Sequence, residues 1–240
     1  MIETTATTMV VASYNVHRCI GTDGRHDPAR IARVLRELDA DVIGLQEVTS
    51  RADGVDQLVH LARAGGFEAV AAPTWRNARG QWGNGLLTRH PILGVDRIDL
   101  SVDGREPRGA LDVRLGIGAD VVRVVVTHLG LHRGDRRAQV ARLLDVLDGD
   151  DGFVVLLGDL NEWLPRGGCL AALHAHFGST AGARSFPSRR PVLRLDRIWA
   201  RPHGAMGPIV AHRTPLARVA SDHLPVRATI AWPIAQAVVA

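Results

Sequence analysis

The sequence predicts an α/β fold in which two packed sheets carry helices on their outer faces. About ten runs have the apolar, β-branched character of strands, whereas only three or four segments have helical periodicity. When strands outnumber helices in this way, each sheet buries one face against another sheet and the other face against helices. The chain has 240 residues, 46% of them hydrophobic, which is enough for a sizeable core. We therefore expect one domain at 8–232, with tails at 1–7 and 233–240.

The strands are recognised by short apolar runs, several of which alternate apolar with polar residues as half-buried strands do. The segment "ALDVRLGI" is one such case. The predicted strands lie at 9–16, 41–48, 67–72, 84–89, 95–100, 109–117, 121–129, 153–160, 195–200 and 223–232.

Two segments predict amphipathic helices. The first, 27–39, has Asp27 as its N-cap and Pro28 at the first helical position, and the second, 134–149, is closed by Gly149. Weaker helices are expected at 54–64 and 168–177. The predicted apolar faces consist of Ile31, Val34, Leu35 and Leu38 in the first helix and Val140, Leu143, Leu144 and Leu147 in the second.

Composition narrows the classes of protein and partner. The net charge is +4 and every basic residue is arginine, which suits phosphate contacts, although a codon bias would give the same count. No stretch approaches a membrane span and no basic region precedes the first apolar run, so a cytoplasmic protein is expected. Cys19 and Cys169 have no metal-type spacing, and buried free thiols are the expectation. A monomer is expected.

Polar residues recur where the predicted strands end. In "VVLLGDLNEW" (154–163) a buried strand stops at a glycine, a carboxylate and an amide. Each such residue alone has an ordinary explanation as a turn former, a cap or an ion-pair partner. Together they indicate a site, because an unpaired charge beside a buried run is costly. The residues concerned are Asn15, Glu47, His128, Asp159, Asn161, Asp196, Asp222 and His223.

These residue types fit one chemistry. Carboxylate and amide oxygens suit a hard cation, Mg²⁺ or Mn²⁺, and no cysteine or multi-histidine cage argues for structural zinc. Two histidines beside spare carboxylates suit phosphate chemistry, because one imidazole can be a cation beside the phosphate while the other handles the proton of an attacking water. A metal would polarise the phosphoryl oxygen.

The motifs "YNVH", "LQEV", "GNGLLTRHPI", "THL", "GDLN", "LDRI" and "SDHLPV", in this order, resemble the endonuclease/exonuclease/phosphatase superfamily with its DNase I-like fold. The resemblance covers 9–232, and "GDLN" followed by "SDHLPV" is its most specific part. It implies a four-layer α/β/β/α sandwich of two mostly antiparallel sheets.

The resemblance also implies a role for each site residue. Asn15 and Glu47 would bind the metal with help from Asp222. Asp159 and Asn161 would orient the nucleophilic water and a phosphate oxygen. The remaining roles are phosphate contact for His128, pairing of His223 with Asp196, and a position lining the site for Asn84.

The substrate is left open among the phosphoesters of this superfamily. Abasic-site enzymes usually carry "LQETK", whereas this chain has "LQEVTS" and no lysine, so that branch is disfavoured. Arg108 could contact a phosphate or be a surface arginine, and Trp75 and Trp82 could flank a substrate loop or be partly buried indoles. We expect hydrolysis of a phosphodiester, in nucleic acid or a phospholipid headgroup. The alternatives are a phosphomonoesterase on a small metabolite or inositol phosphate, and an inactive binding module.

Overall fold

Two β-sheets lie face to face, and helices cover the outer surface of each sheet. The computed structural model describes residues 6–50, 56–77, 80–149, 152–164, 168–202 and 204–233. Most of the two predicted tails, and residues 54–55 of a predicted helix, lie outside these ranges. The arrangement is the predicted four-layer α/β/β/α sandwich, so the expected fold class is confirmed.

The first sheet has six strands in the order β10-β11-β1-β2-β4-β3. Only β1 and β2 are parallel to each other, because helix α1 connects them as a crossover; the other pairs are antiparallel. The strands are β1 (Ala6–Asn15), β2 (Val42–Ser50), β3 (Glu68–Asn77), β4 (Gly80–Thr88), β10 (Val210–Ala211) and β11 (Val226–Pro233).

The second sheet has five strands in the order β5-β6-β7-β8-β9. It repeats the design of the first, since only β7 and β8 are parallel and a helix, α3, connects them. The strands are β5 (Ile92–Asp99), β6 (Gly109–Ile117), β7 (Asp120–His128), β8 (Phe153–Asp159) and β9 (Asp196–Arg201).

Side-chain caps begin the first two helices. Asp27 caps α1 by accepting a hydrogen bond from the Arg30 backbone N–H at 2.9 Å, with Pro28 next in sequence, as predicted. Seven of the eight predicted helix-face residues are buried, and Leu144 is partly buried. In the described ranges no helix is long and apolar enough to cross a membrane. The helices are α1 (Pro28–Leu38), α2 (Gln57–Gly65), α3 (Arg133–Leu147), α4 (Gly168–Phe177) and α5 (Ala217–Ala220).

Three apolar clusters bind the four layers together. One fills the space between the sheets, one lies between the first sheet and helices α1, α2 and α5, and one lies between the second sheet and helices α3 and α4. The sheets approach closely at Gly44, where a Cβ would lie 2.1 Å from Leu157 Cδ1. Cys19 and Cys169 are buried free thiols, as expected.

Several predicted boundaries are wrong. The segment with Trp75 and Trp82 is not a loop for most of its length, because β3 and β4 extend further and pair these two residues directly. Their rings stack with centroids 5.7 Å apart. The two-residue strand β10 was not predicted, since it is too short to show periodicity.

Candidate active site

The carboxyl ends of the two parallel strand pairs open into one cleft of about 540 Å³. The last parallel-paired residues of each pair lie side by side: Asn15 with Gln46 in the first sheet and His128 with Asp159 in the second. Nine of the ten residues singled out in the sequence line this cleft, and the tenth, Asp196, is fully buried behind His223. The nine are Asn15, Glu47, Asn84, Arg108, His128, Asp159, Asn161, Asp222 and His223.

Asp159 is the centre of the cleft floor. Its Oδ2 accepts a hydrogen bond from Asn15 Nδ2 at 3.0 Å and lies 3.6 Å from Nε2 of both His128 and His223. Its Oδ1 accepts from the Asn161 backbone N–H at 2.9 Å. Burial favours the neutral acid, but the two imidazoles and the hydrogen bonds outweigh it, so the pKa of Asp159 is lowered. Asp159 is therefore a carboxylate surrounded by donors.

The glycine before Asp159 explains why the strand ends as "GD". Gly158 has φ 155°, and a Cβ there would lie 1.9 Å from the Thr127 carbonyl oxygen of the neighbouring strand. A side chain at this position would therefore push β8 away from β7 and separate Asp159 from His128.

His223 belongs to a buried pair. Its Nδ1 donates to Asp196 Oδ2 at 2.9 Å, and the same oxygen accepts from the Ser185 hydroxyl. Burial opposes charging of the imidazole, but Asp196 and Asp159 outweigh it and raise the pKa of His223 to about 10. His223 is therefore a cation at neutral pH, with Nε2 directed at Asp159. The Phe186 ring lies 4.8 Å from the imidazole and covers it.

His128 has the opposite protonation state. Burial and the nearby Arg108 cation lower its pKa despite the attraction of Asp159. Arg108 Nη1 lies 3.3 Å from His128 Nδ1 and Asn161 Nδ2 lies 3.1 Å from its Nε2; both neighbours are donors, so the neutral imidazole accepts a hydrogen bond from only one of them. Arg108 is buried and also donates to Glu106 at 2.9 Å, so its interpretation as a surface arginine is wrong.

Glu47 and Asp222 form the open side of the cleft, with side chains 27% and 37% exposed. Glu47 lies within β2 rather than at its end, at an irregularity in the pairing with β4 that turns its side chain toward the cleft. Asn15 presents its amide nitrogen to Glu47 at 3.2 Å, while its oxygen accepts from the His17 backbone N–H. Asn15 thus faces the site as a donor, whereas the sequence favoured its oxygen as a ligand.

Glu47, Asp222 and Asp159 supply carboxylate oxygens to the cleft, the type of ligand that a hard divalent cation prefers. A second group, Asp159, Asp196 and His223, brings ligand atoms within 4.8 Å of one another. That group suits a metal less well, because a protonated imidazole has no free lone pair with which to bind a cation.

Two of these residues have unusual backbone conformations. Glu47 has φ 57° and Asn161 has φ 51°, in the left-handed region that L-residues other than glycine rarely adopt. Asn161 is held there by its side chain, whose nitrogen donates to the Leu129 carbonyl at 2.9 Å and lies 3.1 Å from His128 Nε2. Such backbone strain is concentrated at functional sites.

Asn84 completes the floor from the first sheet. Its amide nitrogen donates to the Gly109 carbonyl at 2.8 Å, which links β4 to β6 across the two sheets. Its oxygen is buried and has no hydrogen-bond partner among the described residues. A buried acceptor of this kind is available to a donor on a ligand or to water.

Several residues of the site were missed by the sequence reasoning. Ser185 and Phe186 support the Asp196–His223 pair, and Ser221 donates to the Asn15 carbonyl at 2.8 Å while lying beside Asp222. Neither serine had a local signal, because each acts only through contacts with distant segments. Two apolar side chains also line the cleft. Trp163 lies two positions after the "GDLN" motif, and Leu131 lies two positions after the "THL" motif.

Comparisons with known proteins identify the family. The profile of the Endonuclease/Exonuclease/phosphatase family matches residues 12–223. The uncharacterized protein YbhP of Escherichia coli (strain K12) is 36% identical over 220 residues, covering 82% of this chain and 85% of YbhP.

Two solved structures are similar over most of the chain. The endonuclease/exonuclease/phosphatase from Beutenbergia cavernae superposes with a TM-score of 0.73 at 26% identity, covering 97% of this chain and 73% of that one. The mannosyl-6-phosphatase Bt3783 of Bacteroides thetaiotaomicron has a TM-score of 0.72 at 19% identity, covering 92% and 98%. Fold, site geometry and sequence together show that the chain belongs to the endonuclease/exonuclease/phosphatase family, which includes phosphoesterases.

Proposed function

We propose that the protein is a Mg²⁺- or Mn²⁺-dependent phosphodiesterase that hydrolyses its substrate by attack of water. One observation carries the proposal: Asp159 Oδ2 is placed among Asn15 Nδ2 and the Nε2 atoms of His128 and His223 at the floor of the cleft. A carboxylate ringed by donors can orient a water molecule and accept its proton while the donors hold phosphate oxygens.

Each histidine then has a distinct role. His223 is a cation and stabilises negative charge on the phosphoryl oxygens, and Asp196 keeps it charged. His128 is neutral and is held beside the phosphate position between Arg108 and Asn161, which lie against its two ring nitrogens. Asn161 orients both Asp159 and His128.

Glu47 and Asp222, with Asp159, would hold the divalent cation. Such a cation supplies Lewis-acid stabilisation of charge on the phosphate and the leaving oxygen. The charges of the described lining support this requirement: among these residues are four carboxylates and three cations, counting protonated His223. The carboxylates are Glu47, Glu106, Asp159 and Asp222, and the cations are Arg18, Arg108 and His223.

The charges of the cleft lining also favour a diester over a monoester as the substrate. A phosphodiester has one negative charge and a dianionic monoester has two, so the monoester needs cations beyond those of the lining. A cleft with Trp82, Phe186 and Leu195 in its lining also offers apolar contacts to organic groups on either side of the phosphorus.

The test compares bis-p-nitrophenyl phosphate with p-nitrophenyl phosphate in Mg²⁺ or Mn²⁺, with and without excess EDTA. We expect higher kcat/KM for the diester and loss of turnover in EDTA. Faster hydrolysis of the monoester would overturn the diester assignment, and full activity in EDTA would overturn the metal requirement. A subsequent panel of DNA with and without abasic sites and of phospholipids identifies the natural class.

A further inference from the structure

Two exposed apolar side chains form a wall on one side of the cleft. Leu131 follows the strand that carries His128, and Trp163 follows Asn161 by two residues. Leu131 is 63% exposed and Trp163 is 52% exposed, although both line a cleft whose floor is polar. Large apolar side chains that remain exposed beside a reaction site mark a surface that a ligand covers.

Buried charges hold this wall in place. Arg136, only 2% exposed, donates through Nη1 to the Leu131 carbonyl at 2.7 Å and through Nη2 to Glu162 Oε2 at 3.1 Å. Glu162 is fully buried and directly precedes Trp163. One guanidinium thus ties the loop after β7 to the loop after β8. A wall fixed before the ligand arrives loses little conformational freedom on binding.

The Trp163 indole contacts a guanidinium and is also exposed to solvent. The Arg136 guanidinium carbon lies 5.6 Å from the centre of the Trp163 ring, in a cation–π contact. The residue as a whole is 52% exposed and lines the cleft. The flat π surface of an indole is suited to stacking with a planar ring, whereas a flexible aliphatic chain gains only area burial.

We propose that Trp163 and Leu131 form a subsite for a planar aromatic ring carried on one ester group of the substrate, as in a nucleotide. The subsite rests on the proposed function, because it lies beside the phosphate position defined by His128, Asp159 and Asn161. This subsite restricts the preferred substrates to phosphodiesters that carry an aromatic ring. Esters without a ring would bind through the phosphate alone.

Calorimetric binding in Mg²⁺ tests the subsite without requiring turnover. Adenosine 5′-monophosphate and ribose 5-phosphate carry the same phosphate and differ by the base. We expect the nucleotide to bind more tightly by roughly 5- to 150-fold, the range that stacking of one base gives. Trp163→Leu should abolish most of this ratio and leave ribose 5-phosphate binding unchanged, whereas Trp163→Phe should keep most of it.

Further ligands and variants distinguish the outcomes. Leu131→Ala should reduce the ratio less than Trp163→Leu, and Leu93→Ala, which removes a side chain 59% exposed outside the cleft, should leave it unchanged. Equal binding of the two phosphates would overturn the subsite while the phosphate site stands. Binding of neither, with bis-p-nitrophenyl phosphate still hydrolysed, would overturn the subsite alone, whereas no binding together with no hydrolysis would overturn both proposals. Tighter binding of hexyl phosphate than of adenosine 5′-monophosphate, or an unchanged ratio in Trp163→Leu, would assign the wall to an aliphatic chain or to no ligand.

Discussion

The two strand–helix–strand units, β1–α1–β2 and β7–α3–β8, have the same topology but place different kinds of residue in the cleft. The first brings Asn15 and Glu47, and the Glu47 side chain is 27% exposed. The second brings His128 and Asp159, and the Asp159 side chain is 1% exposed among donors. One unit therefore offers a carboxylate open to an exchangeable ligand, and the other fixes the positions of protons.

The supports behind the two units differ in the same way. In the first, the neutral amide of Gln57 on α2 accepts from the Thr49 backbone N–H at 3.0 Å and donates to the Arg18 carbonyl at 3.1 Å. In the second, the charged pair Arg136–Glu162 joins the loops, and Asp196 fixes His223. In the proposed reaction, the charged pairs of the second unit hold groups whose positions must not change. The predictions test this difference between the two units.

The largest effect is expected from the two central carboxylates. Glu47→Gln and Asp159→Asn should each lower kcat/KM by roughly three to five orders of magnitude, since each removes several kcal/mol of transition-state stabilisation. Because Asp159 also accepts the proton of the attacking water in the proposed reaction, raising the Mn²⁺ concentration should recover more of the lost activity of Glu47→Gln than of Asp159→Asn. The measurement is kcat/KM against Mn²⁺ concentration.

Glu68→Gln, at an exposed position of β3, is the matched control and should keep full activity. Thermal unfolding should show that Glu47→Gln retains the fold, because the substitution removes a ligand and no core volume. Equal recovery of the two variants by Mn²⁺ would contradict the division of roles between the two units.

The next effect concerns the charged pair in the buried half. Asp196→Asn and His223→Ala should each cost about two to four orders of magnitude in kcat. The double variant should be little worse than the worse single one, because residues that act as a unit are non-additive. His60→Ala, on the exposed face of α2, controls for loss of an imidazole. Losses that multiply would show that Asp196 and His223 do not act together.

The pH profile tests which form of His223 works. With a pKa of about 10, its cation persists through neutral pH and loses its proton as the pH rises through that value. The rate should therefore stay level above neutrality and then fall about tenfold per unit above pH ~10, because deprotonation removes the working form. Asp196→Asn removes a carboxylate that raises this pKa, so the fall should begin at a lower pH. A rate that rises through pH 10 would instead make His223 a general base.

Substitution of the supporting residues should affect turnover least. Its main effect should be a lower free energy of unfolding. Glu162→Gln leaves the buried Arg136 cation without its carboxylate and should lower the free energy of unfolding by about 3–5 kcal/mol. Gln57→Met leaves only neutral groups unpaired and should cost about 1–3 kcal/mol. Denaturant unfolding measures both. A larger loss in Gln57→Met would reverse the comparison.

The sequence identified those features that have local signals. Asp27 and Pro28 define the start of α1 by capping chemistry, and the apolar runs define the sheets by their length. Asp159 and Asn161 were recognisable because polar residues directly after a buried strand are conspicuous. The resemblance to the superfamily then supplied roles that spacing alone does not give.

Features that depend on contacts between distant segments could not be predicted from the sequence. Ser185 bonds Asp196 eleven residues away, and the Arg136–Glu162 pair joins two loops that only the parallel strands bring together. The turn of Glu47 toward the cleft depends on the irregular pairing of β2 with β4, which no periodicity reveals. Contacts of this kind arise from the packing of the sheets, so a single sequence does not encode them locally.

The left-handed backbone at Glu47 and Asn161 has a consequence for engineering. Glycine at either position would relax the main chain, so a search for heat-resistant variants would tend to select it. Those same variants would lose the side chains on which the proposed reaction depends. Screens for thermal tolerance alone would therefore favour more stable variants without the proposed activity, and selection should hold positions 47 and 161 constant.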